Sequence, residues 1–190
     1  MTNRPFKRQL KRQFSRSFNY FLALCCLLAG GALLAACSNN ATPSAKPKAT
    51  SAVGVSIRDL TYKTTAGKPF TVGLYGDKPL VMNIWATWCA PCIKELPSLL
   101  ALQKKGEISV LAVSIDGDSR VIRNFLMANK LSELSVVWDP NGTITRPLLG
   151  LPGLPTSFII NKQHQVVGSE LGEREWDSAA MHDKIMAYLK

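Results

Sequence analysis

The stretch that most constrains the fold is a pair of cysteines set between an apolar run and a segment with helical periodicity. Residues 80–85 are nearly all apolar, as in a strand that is covered on both faces. Cys89 and Cys92 follow, and large apolar residues then recur at helical spacing to about Lys105. Cys89 is therefore predicted at a helix start, where free N–H groups and the helix dipole stabilise a thiolate. Such a pair suits thiol–disulfide exchange, with Cys92 one turn away to attack a mixed disulfide.

The first 36 residues have the layout of a secretory signal. A basic segment precedes an apolar run at residues 21–36. The run ends in Leu-Ala-Ala-Cys at 34–37, which resembles a bacterial lipobox and predicts that Cys37 is lipid-modified and becomes the new N-terminus. The alternative is an uncleaved membrane anchor in which Cys37 is incidental. Both interpretations place the rest of the chain at the extracytoplasmic (periplasmic) face of a bacterial membrane.

The net charge of +10 does not indicate nucleic-acid binding. Six of the 23 basic residues precede the apolar run, which leaves 17 basic against 13 acidic residues, or +4. That balance is ordinary for a protein surface, and no basic cluster contains interleaved aromatic residues. Nucleic acid is therefore not expected as a partner.

The cysteine count leaves one pair of free thiols in the predicted mature protein. Of five cysteines, Cys25 and Cys26 leave with the signal and Cys37 carries lipid, so only Cys89 and Cys92 remain as thiols. One close pair in an extracytoplasmic domain is not a structural disulfide framework. The pair is either catalytic or part of a metal site.

A structural zinc site is not expected. Such a site needs two further cysteine or imidazole ligands, and residues 38–190 offer only His164 and His182 beside the dithiol. Both histidines are interpreted as surface residues. No metal or other cofactor is expected beyond the redox-active disulfide.

The remainder divides into a linker and one domain. Residues 37–52 are polar and interrupted by prolines, which is typical of a flexible linker. In residues 53–190 predicted strands alternate with helices, which favours an α/β fold with a mixed sheet. Strands are predicted at 53–57, 60–62, 70–72, 80–85, 108–115, 136–138, 157–160 and 166–168, and helices at about 92–105, 118–129, 143–149 and 177–189. Pro97 should kink the first helix, and Val121 should lie on the apolar face of the second.

Three segments carry a resemblance to a known family: Asn-Ile-Trp-Ala-Thr-Trp-Cys-Ala-Pro-Cys at 83–92, Glu-Leu-Pro at 95–97 and Gly-Leu-Pro-Thr-Ser-Phe-Ile-Ile at 153–160. With them, residues 53–190 resemble the thioredoxin superfamily and, within it, the membrane-anchored thiol–disulfide oxidoreductases of the TlpA/ResA type. The resemblance implies a thioredoxin-like fold, a central mixed β-sheet flanked by helices, with an added N-terminal β-hairpin. Asn83 stands where cytoplasmic thioredoxins have a buried Asp, which is similar to the TlpA/ResA branch.

The resemblance also implies the roles of the motif residues. Cys89 is the exposed nucleophile and Cys92 resolves the mixed disulfide, so that the two form a redox disulfide. Pro91 tunes the redox balance of the pair. The alternative is that Cys89 and Cys92 are a packed pair of apolar cysteines without catalytic function.

The resemblance implies that Pro155, Leu154 and Glu95 support this site, and Trp88 is a further candidate because it lies beside the motif. Pro155 is the candidate cis-proline, which faces the sulfurs and bars metal from them, and the backbone of Leu154 pairs with extended substrate. Glu95 adjusts thiol titration, with a solvated helix charge as the alternative. Trp88 is either a lid over the sulfurs or a core residue, and its amphipathic ring favours the lid.

The resemblance favours a monomeric reductase of disulfides in extracytoplasmic client proteins, for example in cytochrome c or copper-centre maturation, with a membrane thiol–disulfide transporter as electron donor. A disulfide oxidase or isomerase would share the motif. A non-enzymatic Cu(I)-binding protein would use the same two thiols as soft ligands. A thioredoxin-fold peroxidase is excluded because its Pro-x-x-x-Thr-x-x-Cys pattern would need Thr and Pro at the positions of Ala86 and Met82.

Overall fold

The computed structural model describes residues 52–190. The predicted signal at 1–36, Cys37 and all but the last residue of the predicted linker lie outside the described residues. The strands are β1 (Thr61–Thr64), β2 (Pro69–Thr71), β3 (Leu80–Trp85), β4 (Ser109–Ser114), β5 (Val136–Trp138), β6 (Thr156–Ile160) and β7 (Val166–Leu171). The α-helices are α1 (Ala90–Lys105), α2 (Ser119–Ala128), α3 (Thr145–Leu149) and α4 (Ala179–Tyr188), and short 3-10 turns lie at Val72–Tyr75 and Pro140–Gly142.

Seven strands form one mixed sheet in the order β2-β1-β5-β4-β3-β6-β7. The β3–β4 and β4–β5 pairs are parallel, whereas β1–β2, β1–β5, β3–β6 and β6–β7 are antiparallel. The predicted N-terminal hairpin is therefore β1–β2, and it extends the sheet at the β5 edge. The mixed α/β sheet predicted from the sequence is confirmed.

Strand β3 lies between β4 and β6 and carries the chain to the dithiol. All six of its residues are buried, as expected for a strand that is covered on both faces. Its register pairs Ile84 with Val113 on one side and with Thr156 on the other. The carboxyl end of β3 therefore lies beside the carboxyl end of β4 and the beginning of β6.

Helix α1 follows β3 and packs against β4. It runs without interruption through Pro97 and ends at Gly106, whose φ of 76° is the left-handed conformation that glycine adopts at helix ends. Leu96, Leu99 and Leu102 are buried along one side of it. The apolar stripe of this helix thus fixes Cys89 and Cys92 at the edge of the core.

Three predictions about individual residues were wrong. Residues 53–57 do not form a strand, because only Ser56 makes a bridge, to Gln165. Val121 is exposed, while Ile122 and Leu126 on the same helix are buried. His164 is only 4% exposed, since residue Ile57 and its neighbours pack over the turn before β7.

His182 is half-exposed, with Nε2 3.3 Å from Glu107 Oε2, in agreement with a surface position. None of the helices within residues 52–190 has the length and hydrophobicity that a membrane-spanning segment requires.

Candidate active site

The two cysteines lie where α1 begins. Cys89 has extended backbone angles and is the N-cap of the helix, and its Sγ accepts a hydrogen bond from Cys92 N at 3.3 Å. Pro91 occupies the first turn, where a missing N–H removes no helical hydrogen bond. Cys89 therefore lies at the positive end of the helix dipole, as predicted.

Cys89 and Cys92 form a disulfide, with an S–S distance of 2.04 Å and a Cα–Cα distance of 5.3 Å. Cys89 is 6% exposed and Cys92 is fully buried. Cys89 is thus the more exposed of the two cysteines, as predicted. It is nevertheless a buried residue, which the prediction of an exposed sulfur did not anticipate, because other residues of a groove surround it. Cys89 lines this groove and Cys92 does not.

The groove beside Cys89 has a volume of about 490 Å³. Its lining residues are Trp88, Cys89, Ala90, Pro91, Arg146, Leu151, Pro152, Gly153 and Leu154. Trp88 is 67% exposed, so the alternative that it is a core residue is wrong. Its ring forms one wall of the groove, which is compatible with a lid that shields the sulfur from solvent.

Leu154 and Pro155 come just before β6. The Leu154–Pro155 peptide bond is cis, and Pro155 is buried. Leu154 lines the groove, and within residues 52–190 its backbone N–H and C=O have no hydrogen-bond partner. This backbone is therefore free to pair with an extended chain.

Glu95 is 1% exposed, which rules out the alternative of a solvated helix charge. Its Oε1 accepts a hydrogen bond from Asn83 Nδ2 at 2.6 Å, and its Oε2 accepts from Arg174 N and from Trp176 Nε1, both at 3.0 Å. Asn83 Nδ2 also donates to Ser157 Oγ at 2.8 Å. The carboxyl group thus joins α1, β3 and the segment between β7 and α4.

Burial raises the pKa of Glu95, because the charged form loses its hydration. The hydrogen bonds from Trp176, Asn83 and Arg174 favour the charged form and oppose part of this effect. The group lies three residues after Cys92 on the same helix. Of the acidic and basic side chains in α1, Glu95 is the one that is buried.

Asp116 is a site residue that the sequence analysis missed. It is buried at the end of β4, and its carboxylate accepts hydrogen bonds from Thr87 N at 3.0 Å and from Thr87 Oγ1 at 2.8 Å. Ser114 Oγ donates to the same group at 2.7 Å. Asp116 therefore anchors the loop that leads from β3 to Cys89. The available signal was an acidic residue directly after a buried parallel strand.

Among residues 52–190, no three His, Cys, Asp or Glu side chains are grouped so that they could hold a metal ion. The reactive groups that the structure brings together at the groove are those of the Cys89–Cys92 pair, next to Trp88, Pro91 and Leu154. The arrangement can exchange a disulfide with a chain that enters the groove.

Comparison with known proteins agrees with this geometry. A family model described as Redoxin matches residues 44–185. The chain is 32% identical over 111 residues to the thiol-disulfide oxidoreductase ResA of Bacillus thuringiensis subsp. konkukian, an alignment that covers 57% of this chain and 63% of that protein. It is 27% identical over 116 residues to the sporulation thiol-disulfide oxidoreductase A of Bacillus subtilis, covering 58% and 68%. The match thus spans less than two thirds of the length of that ResA protein.

Solved structures show the same fold. A Chlorobium tepidum protein described as a thiol:disulfide interchange protein of the DsbE type has a TM-score of 0.62 and 29% identity, with 73% of this chain and 98% of that chain covered. StoA of Bacillus subtilis has a TM-score of 0.53 and 22% identity, with 67% and 95% covered. The thioredoxin-like fold predicted from the sequence is confirmed.

Proposed function

Because the chain belongs to the Redoxin family, we propose that it is a thiol–disulfide oxidoreductase that reduces disulfides in client proteins, with Cys89 as nucleophile and Cys92 as resolving thiol. The observation that carries this proposal is the position of Cys89. It caps a helix, lines an open groove and is bonded to a buried second cysteine. The similar proteins named thiol-disulfide oxidoreductases support the same activity.

The first step is attack by the Cys89 thiolate on one sulfur of a client disulfide. A bond forms between Cys89 Sγ and that sulfur while the client S–S bond breaks, and the second client sulfur leaves as a thiolate that takes up a proton. The N-terminus of α1 favours the attacking thiolate through its dipole and its free N–H groups. The product is a mixed disulfide in the groove.

The second step releases the client. Cys92 loses its proton and attacks Cys89 Sγ, which forms the Cys89–Cys92 disulfide and expels the remaining client sulfur as a second thiol. The client gains two electrons and two protons, and the oxidoreductase loses the same number. The structure corresponds to this oxidised product.

The backbone beside Pro155 supports an extended client segment. The N–H and C=O of Leu154, which have no partner among residues 52–190, offer the edge of a strand to a chain that lies across Cys89. Proline has no N–H, so Pro155 itself presents no competing donor there. A client segment thus aligned places its disulfide next to Cys89 Sγ.

We place the domain outside the cytoplasm, held to a membrane by a lipid on Cys37 after removal of residues 1–36, with residues 37–52 as linker. The sequence pattern at 34–37 supports this position. Reducing equivalents then come from a membrane dithiol protein, which reduces Cys89–Cys92 by the same exchange in reverse order. Clients are extracytoplasmic proteins with oxidised cysteine pairs, such as haem-attachment or copper-centre assembly proteins.

The proposal is tested by trapping. The Cys92→Ser variant of the full-length chain should form mixed disulfides with clients through Cys89, visible as slower bands on non-reducing gels. The Cys89→Ser variant should form far fewer. Equal trapping by both variants would contradict the assigned roles, and no reduction of insulin disulfides by the wild-type dithiol would contradict the activity.

The direction of electron flow is tested with the same protein. The dithiol form should reduce insulin, and the disulfide form should oxidise reduced ribonuclease only slowly. Rapid oxidation of ribonuclease with no reduction of insulin would instead indicate an oxidase.

A further inference from the structure

The groove beside Cys89 combines apolar walls with one cationic side chain. Its apolar side chains are those of Trp88, Pro91, Leu151, Pro152 and Leu154. Of the residues in 52–190 that line it, Arg146 is the one with a charge. A segment that fills the groove next to the reacting sulfur therefore meets apolar surface and a guanidinium group.

Within residues 52–190 the guanidinium of Arg146 makes a hydrogen bond but no salt bridge. Its Nε donates to Asn141 O at 3.3 Å, and its stem lies over Gly142, where a Cβ would be 2.8 Å from Nε. Within residues 52–190 no carboxylate lies within salt-bridge distance of it, whereas Arg174 pairs with Glu170 at 3.1 Å. The terminal NH groups of Arg146 thus remain available to an acceptor on another molecule.

We propose that Arg146 selects client segments that carry an Asp or Glu close to the reacting cysteine. This inference rests on the proposed function, because it names the clients of the same groove. A guanidinium can bind a carboxylate through two parallel hydrogen bonds, which fixes orientation as well as charge. Apolar residues beside the client cysteine contact the apolar side chains that line the groove, and the carboxylate sets which way the segment lies.

The expected effect is modest because Arg146 is exposed. Exposed ion pairs contribute about 0.2–1 kcal/mol, which corresponds to a preference of roughly 1.4- to 5-fold in rate. The preference should shrink as salt is added, since screening weakens exposed charges. A preference that arose from shape alone would not respond to salt in this way.

The test compares synthetic disulfide peptides that differ at one position. In each pair a Glu or a Gln is placed at successive positions on either side of a cysteine, and a third series carries Lys. The full-length protein in its dithiol form is mixed with each peptide, and the second-order rate constant of reduction is measured at low and high salt. Wild type should prefer Glu over Gln at one or more positions, and Arg146→Gln should lose that preference.

Two further variants make the result specific. Arg146→Glu should prefer the Lys peptides. Lys162→Gln removes one positive charge from an exposed position at the other end of β6 and should keep the wild-type preference. Equal Glu-to-Gln ratios for wild type and Arg146→Gln at every position would overturn this inference and leave the proposed function standing. A wild-type protein that reduces none of the peptides overturns the proposed function and this inference with it.

Discussion

Glu95 Oε1 accepts a hydrogen bond of 2.6 Å from the side-chain amide of Asn83, within the core and three residues after Cys92. Asn83 lies in β3 and Glu95 in α1, so the bond joins the strand that leads to the dithiol to the helix that begins there. Arg174 and Trp176 complete the set of donors from a distant segment. The carboxyl group is thus held by three parts of the chain at once.

The raised pKa of Glu95 predicts a pH-dependent stability. Well below pH 4.5 the carboxyl group is protonated in both the folded and the unfolded chain. As the pH rises above that value, the unfolded chain loses this proton first, and the folded state must then bury a charge or keep the proton. The free energy of unfolding should therefore fall through this window and level off above the raised pKa. Glu95→Gln should lack this component of the decrease, as urea denaturation at a series of pH values would measure.

A matched control separates the buried carboxyl group from the surface charges. Glu175→Gln removes an exposed carboxylate from the segment that follows β7 and should keep the wild-type pH dependence. Both variants are compared with wild type in the disulfide form, so that the cysteines do not titrate. Parallel pH curves for wild type and Glu95→Gln would show that the burial of Glu95 does not govern this dependence.

The strands that were predicted correctly can be recognised from their own residues and their immediate neighbours. Residues 80–85 and 136–138 form strands with the predicted bounds, because each run is apolar and its neighbours favour turns. Residues 53–57 also alternate apolar and polar side chains, yet they form no strand. Ile57 is buried there, and three backbone hydrogen bonds join residues 54–57 to His164 and Val166, but the pairing amounts to a single bridge at Ser56 and is too short to count as a strand.

The candidate site likewise contains some features that neighbouring residues predict and others that depend on contacts between distant segments. The helix start at Cys89 follows from neighbouring residues, whereas two of the three hydrogen-bond partners of Glu95 lie 79 and 81 residues further along the chain. No periodicity within one segment places Arg174 or Trp176 beside α1. Asp116 was missed for a related reason, because its contact with Thr87 depends on the parallel pairing of β3 with β4.

The sequence at residues 34–37 leads to a prediction about the membrane anchor. Cys37→Ala should abolish incorporation of a labelled fatty acid when the full-length chain is produced in bacteria, because no other residue meets the processing pattern. Cys25→Ala and Cys26→Ala are the matched controls and should retain the label. Labelling that persists in Cys37→Ala would contradict the lipidation prediction.

Gly168 in β7 provides a test of packing between the sheet and α4. A Cβ at this position would lie 2.7 Å from Cγ of Tyr188, so the ring must move. Tyr188 Oη donates to Glu170 at 2.8 Å, and displacement would break that bond. Gly168→Ala should lower the free energy of unfolding by about 1–3 kcal/mol, measured in urea.

The control for this prediction is Gly117→Ala, whose Cβ would have its nearest neighbour at an ordinary 3.6 Å. It should change stability by less than about 0.5 kcal/mol. In a Tyr188→Ala background, Gly168→Ala should cost much less, because the ring that it displaces is gone. Equal losses for Gly168→Ala with and without Tyr188 would refute the assigned clash.

The contact of Asp116 with Thr87 predicts that a residue outside the groove controls the reactivity of Cys89. Asp116→Ala leaves the Thr87 N–H and hydroxyl and the Ser114 hydroxyl without their acceptor, which should cost about 1–3 kcal/mol of stability. The loop before Cys89 should then move, and the N-cap geometry that favours the thiolate should loosen. In the dithiol form, alkylation of Cys89 by iodoacetamide should become slower at neutral pH, and its pH midpoint should rise.

Asp116→Asn distinguishes this role from a general loss of stability. Its side-chain oxygen can still accept from Thr87 N, so the variant should recover most of the alkylation rate even where it remains less stable than wild type. Asp118→Ala is the second control, because that residue caps α2 through Arg120 N at 2.8 Å and does not contact the loop. Removing this cap should lower the free energy of unfolding and leave the alkylation midpoint of Cys89 unchanged. If both alanine variants shifted the midpoint alike, the effect would follow stability, and Asp116 would have no specific influence on the nucleophile.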